Sequence, residues 1–217
     1  MKKLVIFDLD GTLLNTIDDL GDATNYTLRQ FGYSTFSTEE YKYKVGHGIR
    51  KLVERSVPED KLTEQHLDEL MAVFTPYYEL HKADKTRPYE GMTSVLEQLQ
   101  QHGVKIAVAT NKIQEACEPL MKRYFPDIRF TAILGQRPGH AIKPDRSIVD
   151  EIIAIAGVER DQVLYVGDSN VDMQTAINAE TEACGVTWGF RKRSEIEAFN
   201  PAHIIDSPSQ ITDIVLK

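Results

Sequence analysis

Seven side chains in this sequence have the types and spacing to do chemistry on an anion. Asp8 and Asp10 flank one leucine in "KLVIFDLDGTL", and Asp168 and Asp172 stand four apart in "VGDSNVD". Thr110 and Asn111 are adjacent in "VATN", and Lys143 precedes Pro144. Carboxylates that share a pocket repel one another, so such a set is stable only around a cation. Hard oxygen donors favour Mg2+, which divides its coordination between carboxylates, water and a substrate phosphate. An ammonium and a hydroxyl nearby suit the non-bridging oxygens of a phosphoryl group. The set points to phosphoryl transfer.

A parallel sheet would bring these residues together. Asp8, Thr110 and Asp168 each close an apolar run, in "KLVIFD", "VKIAVAT" and "QVLYVGD", and Lys143 lies in the loop after "FTAIL". Near-continuous apolar strands alternating with amphipathic helices indicate an α/β, Rossmann-like fold with helices on both faces of a parallel sheet. In such sheets ligands bind outside the carboxyl ends of the strands. Helices are expected over 112–124, 148–156 and 171–179, and one over 16–31 that starts at Asn15 or Thr16 and closes at Gly32.

Between the first strand and the second the pattern is helical throughout. Ile49, Leu52, Val53 and Val57 recur at helical spacing, as do Leu67, Leu70, Met71, Phe74, Tyr77 and Tyr78. Pro76 is expected to kink or end the last of these helices. The organisation is therefore an α/β core, 1–14 and 87–217, interrupted by an all-helical insertion, 15–86. That is too long for an ordinary βα loop. Hinges are expected at 14–16 and 87–89.

The formal charge is −8, from 25 basic and 33 acidic residues. That balance argues against nucleic acid and against a polybasic membrane surface as partners. It leaves room for a small phosphorylated metabolite, because a metal ion and a few lysines can reverse the field inside one cleft. Two cysteines, Cys117 and Cys184, are too few for a disulfide framework, which suits a reducing compartment. No apolar stretch approaches a membrane span, and the carboxylates at 8 and 10 interrupt the only segment resembling a signal peptide. The expectation is a cytoplasmic protein, monomeric or homodimeric.

The motifs "DLDGTL", "ATN", "KP" and "GDSNVD", in this order on these strand ends, resemble the four motifs of the haloacid-dehalogenase-like hydrolases, and the insertion resembles their α-helical cap. Within that superfamily "VGHGIRKLVERSV", "RPYEGM", "VATNK", "LYVGDSNVDM" and "GVTWGF" are most similar to phosphoglycolate phosphatases. The resemblance implies a Mg2+-dependent phosphatase that works through an aspartyl-phosphate. Its substrate would be 2-phosphoglycolate, with a pyrophosphatase or a broad sugar- or nucleotide-phosphate phosphatase as alternatives. Outside the enzymes, the alternative is a catalytically silent phosphate-binding module.

On that pattern Asp8 is the nucleophile and Asp10 the acid that protonates the leaving group and then the base that activates water. Asp8, Asp168 and the main-chain carbonyl of Asp10 would hold the metal, with Asp172 behind them. Thr110 and Asn111 would hydrogen-bond the phosphoryl oxygens, and Lys143 would neutralise their charge. In the cap, His47, Arg50 and Lys51 are candidates for meeting a second anionic group. His66, His81, His102, His140 and His203 show no metal spacing. Three positions depart from the family pattern: Asn15 where an acid is frequent, Arg146 where proline is, and "AET" at 179–181 where Ala-Gly is common.

Overall fold

The structure is a computed structural model that describes residues 1–217. The chain opens with β1 (Leu4–Phe7) and the short β2 (Leu14–Asn15). Four helices follow: α1 (Ile17–Gln30), α2 (Thr38–Tyr41), α3 (Ile49–Glu54) and α4 (Glu64–His81). After β3 (Arg87–Pro88), helices and strands alternate. They are α5 (Met92–Gln101), β4 (Lys105–Ile113), α6 (Gln114–Tyr124), β5 (Phe130–Gln136), α7 (Ser147–Ala156) and β6 (Val163–Gly167). The chain closes with α8 (Asn170–Asn178), β7 (Glu182–Val186), α9 (Arg193–Glu197), β8 (His203–Ile205) and α10 (Gln210–Val215).

Six strands form one parallel sheet in the order β5-β4-β1-β6-β7-β8, while β2 pairs with β3. All four residues of β1 are fully buried, which is why the strand reads as an unbroken apolar run. Leu4, Ile6, Ala107, Ala109, Val149, Ile152, Tyr165 and Met173 belong to one core cluster. The chain winds outward from β1 to β4 and β5, then returns to β6 on the other side of β1. That reversal makes the carboxyl end of β1 a topological switch point, where open α/β sheets bind ligands. Phe7 pairs with Val108 on one side and Val166 on the other, so Asp8 leaves the sheet beside the ends of both neighbours.

Contacts divide the chain into two compact units, Met1–Leu14 with Pro88–Lys217, and Asn15–Arg87. The first is the α/β sheet unit and the second is helical apart from the strand residues Asn15 and Arg87. Within the helical unit, Tyr26 of α1 stacks on Tyr77 of α4 with ring centroids 4.0 Å apart. The buried Asp19 carboxylate accepts from the Lys85 N–H, the Thr86 N–H and the Thr86 hydroxyl, tying α1 to the segment after α4. No helix is long and apolar enough to cross a membrane.

One expectation is narrowed by the structure and one is corrected. The helix α4 does not end at Pro76 but continues to His81. Proline removes one N–H from the ladder, and the buried rings of Phe74 and Tyr78, stacked with centroids 5.4 Å apart, hold the helix together across that gap. Strand β4 runs to Ile113, beyond the expected helix start at 112, because Ile113 still pairs with Gln136 of β5. Asn111 and Lys112 are therefore strand residues.

Candidate active site

The site grows from the carboxyl ends of β1, β4 and β6, all in the α/β unit. Asp8 leaves β1 with its N–H donated to the Val166 carbonyl at 2.9 Å, which fixes its base to the neighbouring strand. The chain then turns at Gly11, where φ is +91° and a Cβ would lie 2.4 Å from Asp168 Oδ2. Only glycine satisfies both the turn and that approach.

Asp168 follows β6 and is held by groups from two other segments. The Phe190 N–H donates to its Oδ2 at 2.6 Å, and the Thr12 hydroxyl approaches its Oδ1 at 3.4 Å. Gly189 makes room, since a Cβ there would stand 2.2 Å from that of Asp168. Asp172 lies in the first turn of α8, where a carboxylate meets the positive end of the helix. Its Oδ2 accepts from the N–H and hydroxyl of the N-cap Ser169 at 3.1 and 2.5 Å.

Lys143 joins the two acidic strand ends. Its side chain is only 2% exposed, and Nζ lies 2.8 Å from Asp8 Oδ1 and 2.7 Å from Asp172 Oδ1. It also reaches the Ala109 carbonyl at 2.9 Å and the Tyr165 hydroxyl at 3.1 Å. The Tyr165 hydroxyl in turn donates to Asp172 Oδ1 at 3.2 Å. A lysine buried this deeply is tolerable only with such a ring of acceptors.

Ligand oxygens of Asp8, Asp168 and Asp172 all lie within 4.8 Å of one another. Three buried carboxylates thus cluster with one buried ammonium, and the acidities of Asp8 and Asp168 are shifted by it. Burial, followed by repulsion from Asp172, raises Asp8 to about 7 despite the Lys143 ammonium. Burial, then Asp172 and Asp8, pushes Asp168 well above the usual carboxylate range. For Lys143 burial works downward, but Asp172 and Asp8 outweigh it and the ammonium is held charged. The donor set is all oxygen and short of positive charge, which fits a hard divalent cation such as Mg2+.

Asn111 has partners other than the expected phosphoryl oxygens. Its Nδ2 donates to the Lys143 carbonyl at 3.0 Å and its Oδ1 accepts from the Lys143 N–H at 2.8 Å. The Thr110 hydroxyl accepts from the Lys112 N–H at 3.2 Å. His47, Arg50 and Lys51 belong to the helical unit, and each has a partner there. Arg50 pairs with Glu64 and Asp68, both at 2.7 Å, Lys51 with Glu54, and His47 Nδ1 with Arg55 Nη2 at 3.3 Å.

Lys112, Phe190 and Ser169 also shape the site, through contacts that residue type alone does not announce. Lys112 Nζ lies 3.0 and 3.2 Å from the two oxygens of Asp10. Its signal was a cation directly after "TN". Phe190 acts through its main-chain N–H, which residue type cannot reveal. The capping pattern of Ser169 with Asp172, three residues on, could have been read as a helix start.

The model of the haloacid dehalogenase-like hydrolases matches residues 5–186. The phosphoglycolate phosphatase of Psychrobacter arcticus is 30% identical, covering 100% of this chain and 96% of the relative. That of Agrobacterium fabrum is 32% identical over 98% and 91%. A solved structure from Lactobacillus delbrueckii subsp. bulgaricus, provisionally described as a phosphoglycolate phosphatase, is 34% identical and covers 99% of both chains with a TM-score of 0.93. The match spans the sheet, the helical insertion and every motif described above, and the chain belongs to the haloacid dehalogenase-like hydrolases.

Proposed function

We propose that this phosphoric monoester hydrolase is a Mg2+-dependent phosphatase that acts through an aspartyl-phosphate, with 2-phosphoglycolate as its first substrate. The observation that carries the reading is the buried ammonium of Lys143 between Asp8 and Asp172, beside a third carboxylate, Asp168. The substrate follows from the relatives in Psychrobacter and Agrobacterium that bear that activity in their names.

Asp8 and Asp168, with the main-chain carbonyl of Asp10, would hold the metal. When bound, Mg2+ supplies positive charge that offsets these carboxylates and the phosphoryl oxygens. The oxygens of Asp172 are engaged by Lys143 and Ser169, so its part is to orient Lys143. Lys143 keeps its proton and stabilises charge on the equatorial oxygens.

In the first half-reaction a carboxylate oxygen of Asp8 forms a bond to phosphorus as the bond to the leaving oxygen breaks. Asp10 gives that oxygen its proton. In the second, Asp10 takes a proton from water, whose oxygen attacks phosphorus and releases Asp8. Thr110, three residues before the end of β4, lines the phosphoryl site. Asn111 acts by fixing the main chain of Lys143. His47, Arg50 and Lys51 are the candidates for reading the rest of the substrate.

The test is steady-state phosphate release from 2-phosphoglycolate, pyrophosphate, sugar phosphates, nucleoside monophosphates and p-nitrophenyl phosphate, with Mg2+ and with EDTA. The reading predicts Mg2+-dependent turnover with the highest kcat/KM on 2-phosphoglycolate. A higher value on pyrophosphate or a sugar phosphate would replace the substrate. No Mg2+-dependent turnover on any of them would leave a silent phosphate-binding module.

A further inference from the structure

Lys112 has no part in the mechanism above, yet it is one of the most deeply buried cations in the molecule. Its side chain is 1% exposed, and its ammonium addresses both oxygens of Asp10, at 3.0 and 3.2 Å. We infer that Lys112 is a positioning residue that holds the proton-transfer carboxylate of Asp10 in its working orientation, an inference that rests on the function proposed above.

The geometry has three parts. Asp10 lies past the end of β1, in the turn, and its side chain is 21% exposed. A carboxylate there has rotamers that aim it away from the reacting atoms. Lys112 reaches it from β4, whose first residues pair with β1 and whose last, Ile113, pairs with Gln136 of β5, so the cation of the ion pair stands on the sheet and ties down the turn that carries Asp10. The Lys112 main chain is itself held, with its N–H donated to the Thr110 hydroxyl at 3.2 Å.

A buried ion pair seldom adds net stability, because desolvation offsets most of the attraction. What a two-point contact to a carboxylate does supply is orientation. Asn111, one residue earlier, clamps the main chain of Lys143, whose ammonium holds Asp8. Adjacent residues at the end of one strand thus serve the two halves of the reaction, Asn111 for the nucleophile and Lys112 for the proton carrier.

The test uses leaving groups of different need. The alkoxide leaving from 2-phosphoglycolate requires a proton, whereas p-nitrophenolate leaves without one, and both routes require Asp10 again to activate water. Wild type, Lys112→Met and Lys112→Arg are compared with Mg2+ on both substrates, with rapid mixing for p-nitrophenyl phosphate and a circular-dichroism melt to confirm the fold. For Lys112→Met we expect kcat on 2-phosphoglycolate to fall about 100-fold, the size of a small misplacement of a catalytic group, with KM little changed. On p-nitrophenyl phosphate the same variant should release a stoichiometric burst of p-nitrophenolate and then slow, because attack by Asp8 persists while hydrolysis of the phosphoenzyme is impaired. Lys112→Arg, which keeps a cation facing Asp10, should recover much of the loss. A folded Lys112→Met with unchanged kcat would overturn the inference. So would equal losses on both substrates without a burst, or a loss confined to KM. Absence of turnover in the wild type would instead refute the proposed function and would be seen before any variant is measured.

Discussion

The side-chain amide of Asn111 is bonded at both ends to the main chain of Lys143, donating to its carbonyl at 3.0 Å and accepting from its N–H at 2.8 Å. That pair of bonds fixes where the Lys143 side chain starts, 32 residues away in the chain. Replacing the amide by a methyl leaves buried main-chain groups unsatisfied, at a cost of about 1–3 kcal/mol. Asn111→Ala is therefore expected to lower the midpoint of urea unfolding and to reduce kcat more than it raises KM, since Lys143 is loosened. A variant with unchanged stability and only a raised KM would show that Asn111 contacts substrate and does not serve Lys143.

Two departures from the family pattern meet each other. Glu180 holds φ at +54°, a conformation that favours glycine, and its carboxylate pairs with Arg146 Nη1 at 2.9 Å. The pair is exposed, so it compensates little for the backbone strain. Glu180→Gly relieves the strain and loses the pair, whereas Glu180→Ala loses the pair and keeps the strain. The glycine variant should melt above the alanine variant by about 2–4 °C, the shift such strain produces in a chain of this size. Equal melting temperatures would mean that the left-handed turn carries no strain.

The acidities of Asp8 and Asp168 make a statement about pH and metal together. Burial, with Asp172 second, raises Asp8 from 3.8 to about 7, and Asp168 is raised as well. A carboxyl raised on folding holds its proton more tightly in the native state. Its contribution to stability is complete below the unfolded value and is lost as pH rises through the folded one. For Asp8 that window runs from 3.8 to about 7. A divalent ion competes with those protons, so Mg2+ should raise Tm more at pH 8 than at pH 5 when each is compared with EDTA in the same buffer. An increment equal at both pH values, or larger at pH 5, would contradict a metal held by Asp8 and Asp168.

The sheet was readable because buried parallel strands carry unbroken apolar runs, and each run ends where its polar residue begins. Asp8 and Asp168 stand out for that reason. Lys143 was marked only by Pro144 and by its loop. The contacts of Asn111 with Lys143 and of Lys112 with Asp10 were hidden because β4 continues past its apolar stretch, held by pairing between Ile113 and Gln136 that no local pattern records. The N–H of Phe190 on Asp168 is a main-chain contact from 22 residues away, without any trace in residue type. Of the two outcomes expected at Pro76, an end to the helix is ruled out, because Phe74 and Tyr78 pack across it.

The central claim is that Asp8 carries the phosphoryl group, and trapping that group tests it most directly. Enzyme mixed with 2-phosphoglycolate and Mg2+ is quenched during turnover, reduced with borohydride, which converts an acyl phosphate to an alcohol, and digested for mass spectrometry. The account predicts homoserine at position 8 in the peptide spanning β1, and none in Asp8→Asn, which should also lose nearly all turnover. Modification of another carboxylate, or an Asp8→Asn variant that turns over normally, would contradict it.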